Sequence, residues 1–213
     1  MTLSATAKNL ISQITHVDKL GDLRKMAAQI KKEHQLAEEL WSAQLLFPRL
    51  LAILIMDPKQ LSSDVIDRLI VNIEQHPMNE RLQLTDWLMA NQLTKNKKVI
   101  ELIESWKQST SALKRRIFWY YQGRLRWVGQ KPPANTEKLL SSIEKNILKE
   151  PEEVGWAMNF TAAWIGIFQP EYRDRCADIG HNTGLYKDEI VARGCTPNFL
   201  PKFIEIETKK RGL

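Results

Sequence analysis

The segment "SALKRRIFWYYQGRLRW", residues 111–127, holds five cationic and five aromatic side chains and no carboxylate. Lysine and arginine bind phosphate groups, and flat rings stack on sugars or bases. Plotted as a helix, with about 100° per residue, the segment has an apolar stripe on one face. The stripe consists of Leu113, Ile117, Phe118, Tyr121 and Leu125. The opposite face holds Arg115, Arg116, Trp119, Arg126 and Trp127. We expect the stripe to enter the core and the opposite face to meet an anionic partner, unless neighbouring helices bury both faces.

The charge of the chain is concentrated around this segment. The chain has a formal net charge of +6, and no acidic residue lies between Glu104 and Glu137. The cations in that interval are Lys107, Lys114, Arg115, Arg116, Arg124, Arg126 and Lys131. These seven cations give the interval a charge of +7, which is more than the net charge of +6 of the whole chain. This distribution favours an anionic partner.

A carboxylate falls within an apolar pattern at residues 81–93. Leu82, Asp86, Met89 and Leu93 follow helical spacing, so Asp86 is expected in the middle of an apolar stripe. A buried carboxylate must be paired, because an unpaired buried charge costs several kcal/mol. One interpretation is a salt bridge to Arg115 or Arg116. The other is a carboxylate in a cleft that stabilises positive charge on a substrate.

A third stretch, residues 152–168, carries Trp156, Phe160 and Trp164 on one helical stripe. Core packing is the expected role of Phe160 and Trp164. Trp156 lies in the first turns of the predicted helix, where it is placed to border a groove.

Helical spacing of apolar residues runs along almost the whole chain, which predicts an all-α fold. The predicted helices are 5–15, 20–33, 35–43, 46–56, 61–75, 79–93, 97–108, 111–128, 136–149, 151–167 and 171–184. About two helices per 35 to 40 residues suggest a right-handed, solenoid-like stack of HEAT-like helical hairpins with a concave basic face. We expect one domain over residues 1–213; an irregular helical bundle is the alternative.

Other classes of site find little support in the sequence. Cys176 and Cys195 form no Cys-x-x-Cys pair, and the histidines at 16, 34, 76 and 181 lack metal-ligand spacing, so we expect two reduced thiols, no metal and no cofactor. The most apolar stretch, 45–56, is too short to span a bilayer, and the N-terminus does not resemble a secretory signal. We expect a cytoplasmic, monomeric protein, a location compatible with work at a bacterial nucleoid.

Five stretches of the chain share their order and spacing with one known family. They are "IKKEHQLAEELW" (30–41), "RLLAILIMDPKQLSSDVIDRLI" (49–70), "SWKQSTSALKRRIFW" (105–119), "VGWAMN" (154–159) and the tail 184–206. Over about residues 30–206 the chain resembles the AlkD-type DNA alkylation repair family, which has an all-helical fold of HEAT-like repeats. Its active members are glycosylases that remove N3- and N7-alkylated purines from DNA.

The resemblance implies a catalytic set in this chain. It implies that Asp86 stabilises an oxocarbenium-like sugar and that Trp156 lines the same cleft. The family's helix arginine corresponds to Arg116 or, with a one-residue shift, to Arg115. The family pattern Trp-x-x-x-Asp has Leu82 at its first position here. Whether the chain is an enzyme therefore stays open.

The resemblance also implies double-stranded DNA, alkylated or not, as the partner. The implied DNA-binding residues are Lys107, Lys114, Arg115, Trp119, Arg124, Arg126, Trp127 and Lys131. Two alternatives remain: a DNA-binding module of the same fold that reads branched or damaged DNA without excising bases, and a HEAT-type scaffold for an acidic protein.

Overall fold

The chain folds into helices joined by short turns. The computed structural model describes residues 2–14 and 19–213, and no strand occurs among them. Contacts divide the chain into two compact units, Met1–Ser105 and Trp106–Leu213. The all-α prediction is confirmed for the described residues, and a single domain over the whole chain stays a prediction.

The first unit contains seven of the described helices. They are α1 (Ala5–Ile14), α2 (Leu20–Ile30), α3 (His34–Ser42), α4 (Leu46–Ile55), α5 (Ser63–Ile73), α6 (Met78–Asn91) and α7 (Lys97–Ser105). Short 3-10 helices lie at Pro58–Gln60 and Leu93–Lys95. The Ser62 hydroxyl accepts a hydrogen bond from the Val65 amide and so caps α5.

Helix α4 forms the centre of the first unit. It is apolar on almost all sides, and its residues Leu50, Leu51 and Ile53 are fully buried. It packs against α2, α3 and α6. A helix buried all round in this way is typical of the middle of a helical stack.

A buried polar chain joins the helices around α4. The Arg49 guanidinium donates to the carbonyls of Trp41 and Asn72 and, at 2.6 Å, to Nε2 of His76. Because Nε2 accepts that bond, Nδ1–H of His76 donates to Glu80 at 2.7 Å. The chain of bonds satisfies an arginine that would otherwise be a costly buried charge.

The second unit is arranged around two long helices. It contains α8 (Ala112–Trp127), α9 (Thr136–Asn146), α10 (Glu152–Phe168), α11 (Arg173–Thr183) and α12 (Leu200–Arg211), with 3-10 helices at Trp106–Gln108 and Pro170–Tyr172. Helices α8 and α10 pack along each other over most of their length. Gly123 makes this approach possible, because an added Cβ would lie 2.5 Å from Cδ1 of Phe160. Ring contacts between these helices join Tyr120 and Trp127 of α8 to Trp156, Phe160 and Trp164 of α10.

Helix α12 was not predicted from the sequence. Its span includes Pro201 in the first turn, and two of its buried residues, Glu207 and Thr208, are polar. An apolar period is therefore weak in this segment. The predicted helix at 97–108 is in fact split, because its last turn is the 3-10 helix Trp106–Gln108.

Membrane spans and metal sites were searched for among the described residues. Within residues 2–14 and 19–213, no helix is both long and apolar enough to cross a membrane. The same ranges contain no group of histidine, cysteine and acidic side chains that could hold a metal ion. His16 and the last residue of the predicted helix 5–15 lie outside the described residues.

Candidate functional site

Four aromatic rings run along one side of α10 at intervals of four residues. We call Trp156, Phe160, Trp164 and Phe168 the aromatic ladder. Trp156 stacks on Phe160 with centroids 5.4 Å apart, and Trp164 stacks on Phe168 at 5.8 Å. Trp164 is buried, as expected, whereas Trp156 and Phe160 are partly exposed and Phe168 is 38% exposed. The ladder is thus a core element at Trp164 and open to solvent towards both ends.

Helix α8 adds two rings to the ladder. Tyr120 meets Phe160 edge-on at 4.9 Å and Trp156 at 5.8 Å. Trp127 stacks on Trp164 at 5.9 Å, and 42% of its surface is exposed. The sequence projection placed Trp127 on the face of α8 opposite the apolar stripe, and the ring is partly exposed there although it also packs against α10.

Guanidinium groups lie over several of these rings. The Arg116 group is 4.7 Å from the Trp156 centroid, and its Nη1 donates to the Glu153 carbonyl at 2.8 Å. The Arg124 group lies 5.5 Å from Trp127. Such contacts orient both partners and reduce the freedom of the long side chains. Arg116 and Trp156, both predicted for the site, are therefore brought together within the second unit.

The solvent-facing part of this cluster is the aromatic–cation surface. We define it by the partly or fully exposed side chains Tyr120, Arg124, Trp127, Trp156, Phe160 and Phe168. Its rings offer flat apolar area with cations beside them, and Arg116 underlies it, buried against Trp156. Flat rings bordered by cations suit stacking on bases or sugars together with attraction of phosphates.

Other predicted cations lie elsewhere on the second unit. Lys107 is 5.6 Å from the Trp119 ring, and Lys114 is 5.5 Å from the Trp106 ring. Burial, and then the charge of Lys138, lower the pKa of Lys107. Lys131 is exposed in the connection between α8 and α9.

Arg115 makes a salt bridge within the second unit. Its Nε and Nη2 atoms each lie 2.9 Å from Oε2 of Glu150, and Nη1 donates to the Ser109 carbonyl at 2.6 Å. The bridge connects the start of α8 to the turn between α9 and α10. The Glu150 carboxylate offsets the charge of Arg115. The neighbouring Arg116 is the arginine that lies over the Trp156 ring.

The predicted solvent exposure of Arg116, Trp119 and Arg126 is wrong. Trp119 and Arg126 are each only 2% exposed, and Arg116 is 3% exposed. Trp119 packs edge-on against Phe118 with Lys107 over its ring, so this face of α8 is buried too. The expectation failed because α8 is covered on two sides, the alternative left open above.

Arg126 acts as a buried hydrogen-bond centre. It donates to the Gln122 carbonyl and to the side chains of Gln169, Thr136 and Asn135. Burial lowers the pKa of Arg126 to about 10. The residue therefore fixes the junction of α8, α9 and the end of α10 and offers no surface to a partner.

Asp86 lies in the first unit, in the middle of α6. It is partly exposed, as is Leu82 one turn earlier, while Met89 and Leu93 are buried. The residues of the predicted apolar stripe are thus buried towards the C-terminal end of α6 and partly exposed towards its start. Trp87, the next residue, points elsewhere and donates its indole N–H to the Leu50 carbonyl at 3.1 Å.

The sequence patterns did not reveal Arg211 of α12 as a neighbour of the ladder. Its guanidinium is 4.9 Å from the Trp164 ring and pairs with Glu207. Glu207 and Arg211 are four residues apart, which is the spacing of an ion pair on a helix. This spacing was the sequence signal that could have indicated a helix here.

Comparison with known proteins gives two matches. The profile of a family described as "DNA alkylation repair enzyme" matches residues 18–173. None of the curated proteins matches the chain. A solved structure is similar with a TM-score of 0.68 and 21% identity, over 99% of this chain and 90% of the other. That protein is described as belonging to "a new family of proteins related to the HEAT-like repeat DNA glycosylases with affinity for branched DNA structures".

The structural match confirms that the fold is of the HEAT-like repeat kind. The right-handed stacking and the concave basic face stay predictions.

Proposed function

The chain belongs to the DNA alkylation repair enzyme family, and on this premise we propose that it binds double-stranded DNA through the aromatic–cation surface of its second unit. The observation that carries the proposal is the set of partly exposed rings with guanidinium groups over them, Arg116 on Trp156 and Arg124 on Trp127. A merely solvated helix face needs charges but has no use for exposed indoles.

The chemistry of the surface suits DNA whose bases are partly unstacked. Arg124 and the exposed Lys131 attract phosphates, and the ring of Trp127 stacks on a base or a sugar. Damaged and branched DNA expose such bases at low cost, because stacking is already disturbed there. A relative of the same fold is described as having affinity for branched DNA, which supports the same preference here.

The binding proposal is tested with labelled duplex and four-way-junction DNA. The double variant Arg124→Gln with Trp127→Ala removes one cation and one exposed ring. We expect it to weaken binding by about 10- to 100-fold, because stacking contributes about 1–3 kcal/mol per base. The matched control, Lys149→Gln with Leu148→Ala, removes one exposed cation and one exposed apolar group from the turn after α9.

The outcomes separate the alternatives. Equal losses in both double variants would place the binding surface elsewhere. Wild-type protein that binds no DNA even at low salt would favour the scaffold for an acidic protein.

A second candidate function is excision of N3- or N7-alkylated purines, with Asp86 as the catalytic carboxylate. Its partial exposure in α6 and the family resemblance favour it. The alkylated base carries a positive charge and leaves with the electron pair of its glycosidic bond, while water adds to the sugar carbon. The Asp86 carboxylate would stabilise the positive charge that develops on the sugar. Leu82, in place of a tryptophan, removes one ring contact that would help to place that sugar.

Release of 3-methyladenine and 7-methylguanine from methylated DNA tests this second function. We expect release by the wild type and its abolition by Asp86→Asn. Asp64→Asn, the same change at an exposed position in α5, is the control and should release bases at the wild-type rate. No release by wild-type protein that does bind DNA would remove the enzymatic function and leave the binding module.

A further inference from the structure

A cavity in the first unit leads to the buried side chain of Arg49. It has a volume of about 340 Å³, and its wall includes Glu38, Trp41, Gln44, Arg49, Arg68 and Asn72. We call it the Arg49 cavity. Gln44 and Arg68 are exposed, whereas Arg49 is only 4% exposed. The cavity therefore extends from the surface to a buried cation.

The guanidinium of Arg49 keeps one nitrogen for a ligand. Nε donates to the Trp41 carbonyl, and Nη1 donates to the Asn72 carbonyl and to Nε2 of His76. Nη2 makes no hydrogen bond with the residues that the structure describes. The guanidinium carbon lies 4.7 Å from the centroid of the Trp41 ring, and this contact helps to hold the group in place. A fixed guanidinium with two open N–H groups suits an oxygen acceptor.

The charge of Arg49 has no carboxylate in direct contact within the described part of the chain. Its acceptors are two backbone carbonyls and an imidazole nitrogen. Glu80 is one step further away, at 2.7 Å from Nδ1 of His76. Burial lowers the pKa of Arg49, since a charge is costly to keep in the interior. An anion in the cavity would offset this charge.

Asn72 and Gln44 bring further donors to the wall of the cavity. Oδ1 of Asn72 accepts a hydrogen bond from Nε1 of Trp41 at 2.9 Å, which orients the amide and leaves its Nδ2 as a donor. Gln44 contributes a second amide from the turn after α3, where its backbone is left-handed with φ of 58°. A residue other than glycine adopts this conformation at a cost. Donors thus come from α4, α5 and the turn.

The acidic residue in this wall is already paired. Glu38 accepts a hydrogen bond from Nη2 of Arg68 at 2.9 Å. Two arginines and one glutamate therefore leave the lining of the cavity with a formal charge of +1. A smaller cavity of about 210 Å³ shares Arg49 but includes Glu80, whose charge cancels that of the arginine. The larger cavity is the one that suits an anion.

We propose that the Arg49 cavity binds a terminal phosphate group. Such a group has three acceptor oxygens and can meet donors from several directions, whereas the two oxygens of a carboxylate lie in one plane. The buried position of Arg49 favours a terminal phosphate, because an internal phosphate of a DNA backbone is held by two ester bonds and cannot enter as far. The group comes from a small phosphate ester or from the end of a DNA strand.

Binding of inorganic phosphate to the full chain, measured by calorimetry at constant ionic strength, tests the site. The wild type should bind phosphate, and its Tm should rise as phosphate is added. Asn72→Asp keeps the acceptor for Nε1 of Trp41 but replaces the Nδ2 donor by a charged oxygen. We expect it to weaken phosphate binding by about 10- to 100-fold, because a hydrogen bond to an anion is lost and a like charge is added.

The control makes the same change of charge outside the cavity. Asn9→Asp lies at an exposed position of α1 and should keep the wild-type affinity for phosphate. Gln44→Glu is a second test variant, which the fold should tolerate because Gln44 is exposed. It too should weaken phosphate binding. Thermal melting without phosphate verifies that all three variants fold.

Two duplexes that differ only in a phosphate at the 5′ end identify the source of the group. Tighter binding of the phosphorylated duplex, lost in Asn72→Asp, would assign the site to a DNA strand end. Equal binding of both duplexes by a protein that binds inorganic phosphate would assign it to a small phosphate ester.

Three results overturn the inference. They are a wild-type protein that binds no phosphate, equal affinities of Asn72→Asp and Asn9→Asp, and acetate bound as tightly as phosphate. The inference does not rest on DNA binding by the aromatic–cation surface. A protein that binds phosphate but no DNA would therefore remove the proposed function and leave this site.

Discussion

The cations of α8 differ from the exposed cations Arg24 and Lys95 of the first unit in what they contact. In α8 they are close in sequence, yet Arg115 is paired with Glu150 and Arg126 is buried among hydrogen-bond acceptors. In the first unit, Arg24 is exposed and lies 4.4 Å from the centroid of the Trp87 ring, and Lys95 is exposed as well. The densest run of positive charge in the sequence therefore includes cations that the fold pairs or buries.

This difference shows how two kinds of positive charge arise in one helical protein. A cation on a helix that packs on two sides is held by its neighbours and contributes to stability. An exposed cation has few such contacts and contributes little to stability. Stability measurements should separate the two kinds without any ligand.

The largest effect on the free energy of unfolding is expected from a substitution of Arg126. Arg126→Met removes hydrogen bonds to four acceptors, and Oε1 of Gln169 keeps only the bond from the Thr136 hydroxyl. We therefore expect a loss of about 3 kcal/mol in the free energy of unfolding. Arg24→Met should change it by less than about 0.5 kcal/mol. Urea unfolding measures both. Equal effects would contradict the division between structural and surface cations.

An intermediate effect on the free energy of unfolding is expected from Glu207 of α12, which pairs with Lys210 and Arg211. Burial would raise the pKa of Glu207, but hydrogen bonds from Lys210, Thr196 and Arg211 lower it to about 2. A carboxylate with a lowered pKa stabilises the fold above its unfolded value of 4.5, and this contribution disappears as the pH falls from 4.5 towards about 2. After allowance for solvent screening, the contribution is about 1–2 kcal/mol.

The matched variant for this pH dependence is Glu207→Gln. The difference in the free energy of unfolding between wild type and variant should shrink by this contribution of about 1–2 kcal/mol as the pH falls from neutral to about 2. A difference independent of pH would mean that Arg211 and Lys210 do not favour the charged carboxylate.

The smallest effect is expected at Lys95. Lys95→Gln removes repulsion from Arg24 and Lys32, so the variant should be more stable than the wild type by a few tenths of a kcal/mol, about 1 °C in Tm. Salt should abolish the gain, because it screens exposed charges. A variant less stable than the wild type at low salt would show that Lys95 has a structural partner.

Local patterns predicted much of the fold and only part of the candidate site. Ser62 and Ser111 cap helices where the sequence suggested helix starts, and the apolar stripe of α8 is buried from Leu113 to Leu125. Such features depend on residues within a few positions of each other. Trp119 looked like a surface residue because a helical projection shows one face as polar and carries no information on how many neighbours cover it.

The remaining errors have the same origin. Helix α12 forms because its buried residues, including Ile204, pack on α10 and α11, and a pattern with Pro201 and Glu207 does not reveal that packing. Trp156 and Arg116 were found because the family resemblance supplied the pairing that local sequence could not.

The stack of Trp127 on Trp164 gives the protein a built-in optical signal. The rings lie 5.9 Å apart with 27° between their planes, close enough for their electronic transitions to couple. Coupled indoles give paired positive and negative bands in circular dichroism, and these bands depend on the register of α8 against α10. A base that stacks on the exposed side of Trp127 would alter them, so the spectrum can follow occupation of this surface without a label.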